Sequence, residues 1–420
     1  MTRAACRTVS ATCLSVLPGL PSSVMRFSDR LGPQTGQNSI TTLSAELKAL
    51  GVGVLNLSDS NPTRHGLTPG GVVEALSDSA CLEYRPDPRG LESARLALAA
   101  RFGGGSDSYF LSASTSEAYG WIFKLLCDPG DAVLVPTPGY PLFDSLAALE
   151  AVRTVPYRLE YRHPAGWMID LDDLRKAAIA CNARALVVIN PNNPTGSYAS
   201  VTERNAIVAF CAERGIALIA DEVFFPYALE AEDDRTRFGG EAACLTFALD
   251  GLSKLLCLPQ LKLGWIRISG PPDEAREAAS RLELIADTYL SAGAPAMNAL
   301  PALLERSDPF VRMLQRRLSL NLNAARAVFG GSGSPFRVLR CEGGWTALLE
   351  YPRFATEEET VLGLLREEHM AVQPGYFFDM ERDGYLALSL ILEPDIFAAA
   401  VRRLRRYLDV PARLSDPLFA

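Results

Sequence analysis

The chain has 420 residues, a net charge of −8 and a pI near 5.2, so nucleic acid is not expected as its main partner, because a phosphate backbone is bound by basic surfaces. Hydrophobic residues make up 48% and charged residues 21% of the chain, which is the composition of a folded globular protein. No apolar run reaches the roughly 18–20 residues that a membrane-spanning helix needs, and the length predicts a large and a small domain.

The N-terminal region is rich in Ser and Thr, and residues 1–28 contain three arginines and no Asp or Glu. This composition resembles an organelle transit peptide. It also fits a disordered tail, or a start assigned too early with Met25 as the true first residue. We expect residues 1–24 to be a dispensable tail and the protein to be cytoplasmic, with the transit peptide left open.

Nine cysteines are scattered without a CxxC pair, and the sequence has three histidines. Such cysteines are typical of reduced, buried thiols inside cells. With so few histidines and no His/Cys cluster, we expect no metal site.

Helix signals and apolar strands alternate through the middle of the chain. Ser114 with Glu117 and Ser200 with Glu203 each fit the pattern of a capping box, and Gly215 predicts a helix end. Continuous apolar runs predict strands in residues 131–138, 185–190, 216–221 and 245–249. Strands that are apolar on both faces indicate a mostly parallel sheet, so residues 58–290 are predicted to form a doubly wound α/β domain with its ligand at the strand carboxyl ends.

After about Ser291 the pattern changes to longer helices that enclose short strands. Helical periodicity covers residues 310–329, 357–369 and 395–407. We therefore expect residues 291–420 to form a smaller α+β domain, joined by an arm at residues 25–57.

Four polar elements fall at the predicted strand ends: Lys254, Asp221, Asn193 and the helix start at residues 114–116. Each alone is ordinary, since a loop lysine is usually solvated, an Asp after a strand often caps a helix, and Ser or Thr often precedes a helix. Together they suit pyridoxal phosphate (PLP). Lys254 would bind the aldehyde as a Schiff base, and Asp221 would face the pyridine nitrogen.

The remaining parts of that cofactor also have partners in the sequence. The Asn193 amide would bind the ring phenolate, and the free N–H groups near Ser114 and Thr115 would bind the phosphate. Tyr140, which follows another strand, could stack on the ring.

Three motifs in one order carry a resemblance to a known family: NPNNPTG at 190–196, ADEVF at 220–224, and GLSK at 251–254 followed by LGW. With these motifs the chain resembles the class I/II aminotransferases, fold-type I PLP enzymes, over roughly residues 29–408. The resemblance implies transfer of an amino group between an amino acid or related amine and a 2-oxo acid. It also implies a homodimer in which Tyr84 reaches the cofactor phosphate of the other subunit.

The sequence departs from the family pattern around the cofactor. Lys262 stands where the family has an Arg that binds the phosphate, and a lysine lacks the planar fork of a guanidinium. Gly251 stands where the family has a Ser, although Ser253 remains, and Phe224 stands where it has a Tyr.

The substrate side departs further. Ala387 occupies the position of the family's carboxylate-binding Arg. Either another cation replaces it, or the substrate has no carboxylate there. Arg64 is our candidate for that cation, and the alternative is that Arg64 is an ordinary surface arginine. Trp345 lies in the substrate-side GGW loop, and a set of aromatic residues forms either an apolar pocket or ordinary core: Tyr140, Phe224, Phe225, Trp345, Phe377 and Phe378.

Two other functions stay open. The same cofactor supports β-elimination, decarboxylation and racemisation, and a protein could also bind it without catalysis. Keto-acid-dependent amino transfer would separate the first group from an aminotransferase, and a half-reaction with any amine would exclude the second.

Overall fold

The computed structural model describes residues 25, 27–31, 38–230 and 235–409. The predicted tail at residues 1–24 therefore lies outside the described residues. None of the described helices is both long and apolar enough to cross a bilayer.

The strands alternate with helices as the sequence pattern predicts. In chain order, the described strands are β1 Leu55–Asn56, β2 Tyr109–Ser112, β3 Ala132–Thr137, β4 Arg153–Arg162, β5 Gly166–Ile169, β6 Ala185–Ile189, β7 Ala217–Asp221, β8 Thr246–Gly251, β9 Gly264–Ser269, β10 Arg337–Val338, β11 Thr346–Glu350, β12 Met370–Ala371, β13 Gln373–Pro374 and β14 Tyr385–Ser389. The described helices are α1 Ser39–Ala49, α2 Val72–Leu76, α3 Glu92–Phe102, α4 Thr115–Leu126, α5 Phe143–Leu149, α6 Leu171–Cys181, α7 Val201–Arg214, α8 Leu252–Leu255, α9 Pro272–Tyr289, α10 Ala294–Glu305, α11 Ser307–Phe329, α12 Glu357–Glu367 and α13 Pro394–Leu408.

The large sheet has the order β2-β9-β8-β7-β6-β3-β4-β5. Strands β4, β3, β6, β7 and β8 run parallel, whereas β9 is antiparallel to β8 and β2, and β5 is antiparallel to β4. The predicted mostly parallel sheet is thus confirmed. Its register places Ile189, Asp221 and Leu249 side by side, so three strands end at one edge.

Helices cover both faces of this sheet. Val187 and Ile189 pack with α4, α5 and α9 on one face, whereas Leu186 and Val188 pack with α6 and α7 on the other. Because successive strand residues point to opposite faces, both faces of β6 must be apolar. The apolar run that the sequence shows is therefore a consequence of burial between two helix layers.

The helix ends agree with the sequence in one case and differ in detail in the other. Ser200 and Glu203 form a complete capping box, and α7 ends at Gly215 in the left-handed conformation at φ 62. Ser114 caps α4 by accepting from the Glu117 N–H, but the Glu117 carboxylate accepts from Ala113 rather than from the cap residue. The predicted Ser114–Glu117 box is therefore wrong in its reciprocal half, since the Glu117 carboxylate bonds to the residue before the cap.

The C-terminal part contains an antiparallel sheet of order β10-β11-β14-β13. β1 from the N-terminal segment pairs in parallel with β12, and α1 packs on α12. This pairing brings the two ends of the chain into one unit. The boundaries at 25–57, 58–290 and 291–420 stay a prediction.

Candidate active site

A cavity of about 400 Å3 opens between the carboxyl edge of the large sheet and the four-stranded sheet. Ile189, Asp221 and Gly251 reach it from the ends of β6, β7 and β8. Its opposite wall comes from β11, β13 and β14. The volume is within the usual range for small-molecule sites.

Lys254 reaches the cavity from α8, the single turn that follows β8. The Tyr227 hydroxyl holds this turn by donating to the carbonyl oxygens of Lys254 at 3.0 Å and Leu255 at 2.9 Å. The Lys254 Nζ lies 5.2 Å from the ring centre of Trp345 and 5.5 Å from that of Phe224. Removal from bulk water lowers the pKa of the lysine, so this amine loses its proton more readily than a surface lysine does.

Asp221 ends β7 and is buried at the same cavity. Desolvation raises its pKa to about 6, while the Val223 N–H, the Tyr119 hydroxyl and the charge of Lys254 oppose that rise. The Tyr119 hydroxyl donates to Oδ2 at 3.0 Å. A carboxylate in this setting is stabilised by a ligand N–H or a positive charge placed against it.

The N-terminus of α4 forms another side of the cavity, where Thr115 and Ser116 contribute to the lining. Their N–H groups belong to the first turn of a twelve-residue helix, which favours an anion. Gly264 allows β9 to approach this turn, since a Cβ there would lie 3.1 Å from Thr115 N and from Ser114 C. The absence of a side chain at Gly264 thus keeps the helix start open to a ligand.

The loop that carries Asn193 is held against the C-terminal part. Gly196 has φ 69, and a Cβ there would lie 2.6 Å from Cys341 Sγ. Its carbonyl accepts from the N–H groups of Glu342 and Gly343 at 3.0 and 2.9 Å. This close approach brings Asn193 and Trp345, from distant parts of the chain, to one cavity.

The structure brings most of the predicted site residues together. Thr115, Tyr140, Asn193, Asp221, Ser253, Lys254 and Trp345 all line the cavity, and Ser114 is the cap of the adjoining helix. Of the aromatic set, Phe225 does not line it. Phe225 instead packs edge-on against Tyr198 at 5.5 Å and lies under Arg237 at 4.3 Å.

Three further predicted residues lie outside the cavity lining. Lys262 is exposed, in a left-handed conformation at φ 49, just before the lining residue Leu263. Tyr84 is 79% exposed and borders a separate depression near Gly293. The Arg64 side chain is 67% exposed and pairs with Asp59 at 3.3 Å.

Sequence reasoning missed Tyr119, although Tyr119 lies four residues after Thr115 and therefore on the same face of α4. It also missed the wall residues Ser58, Gln373 and Ser389. No local pattern marks these three, because their position depends on the pairing of β13 with β14 and on the N-terminal segment that folds over them.

A desolvated lysine and a buried carboxylate on one cavity, beside a helix N-terminus at the carboxyl edge of a doubly wound sheet, define an α/β enzyme of amine or carbonyl chemistry. Residues 52–395 match the family of class I and II aminotransferases, and the chain belongs to that family. It is an aminotransferase, and amino transfer is thereby favoured over elimination, decarboxylation, racemisation or silent binding.

Related proteins agree with this assignment. The chain is 28% identical to the alanine aminotransferase of Mycobacterium tuberculosis over 390 residues, which cover 87% of this chain and 88% of that protein. It is 25% identical to the glutamate-pyruvate aminotransferase of Haemophilus influenzae, covering 84% and 90% of the two chains. The alanine aminotransferase structure from Pyrococcus furiosus superposes with a TM-score of 0.82 at 23% identity, over 91% of this chain and 99% of that one, and shows the shared fold.

Proposed function

We propose that the chain is a PLP-dependent aminotransferase that binds its cofactor covalently through Lys254 and works as a homodimer. The observation that carries this proposal is the presence of Lys254 and Asp221 on one cavity of about 400 Å3. The family assignment supports it, because class I and II aminotransferases use this cofactor.

The donor set of the cavity fits PLP group by group. The Lys254 amine would hold the aldehyde, the Asp221 carboxylate would face the ring nitrogen, and the Asn193 amide would bind the phenolate. The N–H groups of Thr115 and Ser116 would bind the phosphate, with Ser114 capping the same turn and the Ser253 hydroxyl beside it. Tyr140 would contact the ring.

When bound, PLP supplies an electron sink for the carbon that loses its proton. The Lys254 Nζ would hold the proton removed from the substrate α-carbon, and its lowered pKa favours the neutral, basic form. Asp221 would keep a proton at the ring nitrogen, for which its own ionised form is needed. Trp345, within 5.2 Å of the Lys254 Nζ, would exclude water from the substrate face.

Tyr84 supports the homodimer. Tyr84 is 79% exposed and the nearby Leu82 is 86% exposed, so an apolar surface is left uncovered here. We propose that this surface meets a second copy and that Tyr84 reaches the partner's phosphate site. Analytical ultracentrifugation should show a dimer. Tyr84→Phe should weaken PLP binding and leave the dimer intact.

We also propose that Lys262 acts on the cofactor and Arg64 on the substrate. Lys262 adjoins Leu263 and Gly264, which line the cavity, so its ammonium group could add positive charge near the phosphate. Arg64 follows the lining residues Ser58 and Ser60, but it would have to leave Asp59 to reach a substrate. Both need a side-chain rotation that surface lysines and arginines make readily.

We place the enzyme in the cytoplasm. Cys211, Cys244, Cys257 and Cys341 are buried and free, as in proteins of reducing compartments. Fractionation of cells that express the full chain would test this, and removal of the first 24 residues in an organelle would contradict it.

The covalent role of Lys254 is tested by borohydride reduction of the PLP-loaded protein, followed by peptide mass spectrometry. The cofactor mass should appear on the Lys254 peptide and disappear in Lys254→Ala. Lys176→Ala, at a lysine on α6 away from the cavity, is the matched control and should keep the adduct. An adduct that persists in Lys254→Ala at this cavity would overturn the assignment.

A further inference from the structure

The charges that line the cavity are few. Among the lining residues in the described part of the chain, Lys254 is the one cation and Asp221 the one anion. Lys254 and Asp221 both belong to the proposed cofactor end, so the described substrate wall offers neutral groups to an incoming amino or oxo acid.

That wall is built from β13 and β14. Gln373 is the register partner of Ala387 in this antiparallel pair, so the two side chains lie on the same face of the sheet. Both residues line the cavity, together with Ser389 two positions further along β14. Because Ala387 has a single methyl group, the space beside it is left to the longer Gln373 side chain.

Two hydroxyl groups of the cavity lining near Gln373 already have hydrogen-bond partners. The Ser389 hydroxyl donates to the Asp59 carbonyl at 2.8 Å, and the Ser58 hydroxyl donates to Asn56 Oδ1 at 2.8 Å. The amide of Gln373, by contrast, has no hydrogen-bond partner within residues 38–230 and 235–409, and it keeps two N–H donors and a carbonyl acceptor for a ligand.

A buried carboxylate fixes the position of Gln373. Glu357 on α12 accepts from the N–H groups of Tyr376 at 2.8 Å, Gly384 at 2.8 Å and Tyr385 at 2.7 Å. These three bonds join the segment after β13 to the start of β14. The Gln373 backbone is therefore held in place beside Ala387, as a specificity-determining residue must be.

We propose that Gln373 binds the carboxylate of the amino and oxo acid substrates, as a neutral donor in place of a cation. The inference rests on the proposed function of this cavity. A neutral amide can donate to a carboxylate and also exchange hydrogen bonds with a carboxamide, whereas a guanidinium fork favours the carboxylate strongly. Gln373 therefore predicts weak discrimination between an amino acid and its amide.

The test compares L-alanine with L-alaninamide as amino donors to the PLP-loaded enzyme, by the loss of its visible absorbance in single turnovers. We expect the wild type to prefer the acid by less than about tenfold, since each donor can hydrogen-bond the same amide. Gln373→Glu, nearly the same in shape, should change the ratio at least about 100-fold in favour of the amide, because two carboxylates would face each other in a poorly solvated site.

Three further experiments separate an effect on binding from an effect on folding. Calorimetric titration with propionate and propionamide should show the same reversal without any reaction. Asn323→Asp, which makes the same charge change on an exposed face of α11, should leave both ratios unchanged. Gln373→Met should weaken alanine use by about tenfold, the loss expected for one hydrogen bond to a charged group.

The contradicting outcomes are distinct. An unchanged acid-to-amide ratio in Gln373→Glu overturns the proposal, as does a wild type that prefers either donor 100-fold or more. Loss of alanine use in Arg64→Gln, with Gln373→Glu unaffected, assigns the carboxylate to Arg64 instead. Failure of the proposed function would look different, because the wild type would then react with neither donor or Lys254→Ala would still react.

Discussion

The Tyr119 hydroxyl donates a hydrogen bond of 3.0 Å to Oδ2 of Asp221. Asp221 accepts a second bond from the Val223 N–H at 3.3 Å, while burial raises its pKa to about 6. The phenol therefore helps to decide how much of this carboxylate is ionised near neutral pH. Tyr119 itself is buried, and its own pKa is raised well above the usual value, so it stays a donor throughout.

Tyr119→Phe should weaken PLP binding about tenfold and raise the pKa of Asp221, because a hydrogen bond to the ionised form is lost. Cofactor titration at pH 6 and pH 8 would show the larger loss at pH 6, where less carboxylate is ionised. Tyr157→Phe is the control, since Tyr157 is also buried and its hydroxyl donates to the Val187 carbonyl at 2.9 Å. Equal dissociation constants in the two variants would contradict the prediction.

Ionisation of Asp221 should lower the free energy of unfolding of the cofactor-free protein as the pH rises. Its folded pKa, about 6, lies above that of an unfolded aspartate near 3.9, so the folded state binds the proton more tightly. Its favourable contribution is therefore present below pH 4 and is lost as pH rises from about 4 to 6. Asp221→Asn should reduce this loss, by roughly 1–3 kcal/mol at pH 7. Urea unfolding of the wild type and of Asp221→Asn between pH 4 and 8 measures this difference in stability. Parallel pH profiles of the two proteins would contradict the prediction.

Arg237 should stabilise the folded protein at the carboxyl edge of the large sheet, where it pairs with two carboxylates. Its Nη1 lies 3.2 Å from Glu222 Oε2 and 3.4 Å from Asp250 Oδ2, and both carboxylates are buried. Burial raises the pKa of Asp250 to about 7, and the guanidinium opposes that rise. Arg237→Met leaves two uncompensated carboxylates and should lower the free energy of unfolding by about 3–5 kcal/mol.

A triple variant serves as the control for Arg237→Met. Adding Glu222→Gln and Asp250→Asn to Arg237→Met should restore part of the lost stability, because the buried charges are gone. Urea unfolding at pH 7.5 compares the single and triple variants. A triple variant less stable than Arg237→Met would show that the hydrogen bonds, rather than the charges, dominate.

Gly264→Ala should weaken PLP binding at least about tenfold, a change of roughly 1.4 kcal/mol, because the added methyl group would press on the first turn of α4. That methyl would lie 3.1 Å from Thr115 N, where an N–H group is proposed to bind phosphate. Gly105→Ala, at a surface glycine with nothing within 4 Å, is the matched control. Cofactor titration and thermal melting distinguish local displacement from unfolding, and unchanged affinity in Gly264→Ala would refute the expected contact.

The sequence predicted the large sheet well because the relevant signals are local. The apolar run at β6, the Ser200 box and Gly215 each reflect neighbours within a few residues. Lys254, Asp221 and Asn193 could be placed together for a related reason. Each follows a parallel strand, and such strands end at one edge of the sheet.

The sequence could not predict the exposure or the side-chain partners of Arg64 and Phe225. Arg64 was a candidate substrate cation, yet it turns to Asp59 five residues earlier. For Phe225 the sequence left an apolar pocket and ordinary core open, and the structure packs it with Tyr198 and Arg237. In both cases a short polar or aromatic contact competes with the cavity, and only the folded geometry decides between them.

The sequence by itself thus determined the class of fold, the family and the lysine–carboxylate pair, because strand periodicity and motif order are written along the chain. Tertiary structure alone decided the wall of the cavity that is proposed to bind substrate. Ser58, Gln373 and Ser389 come from distant segments and meet through the pairing of β13 with β14 and the Ser389 bond to the Asp59 carbonyl. Register and burial depend on the packing of the whole chain, so no local pattern could bring these neutral side chains to one surface.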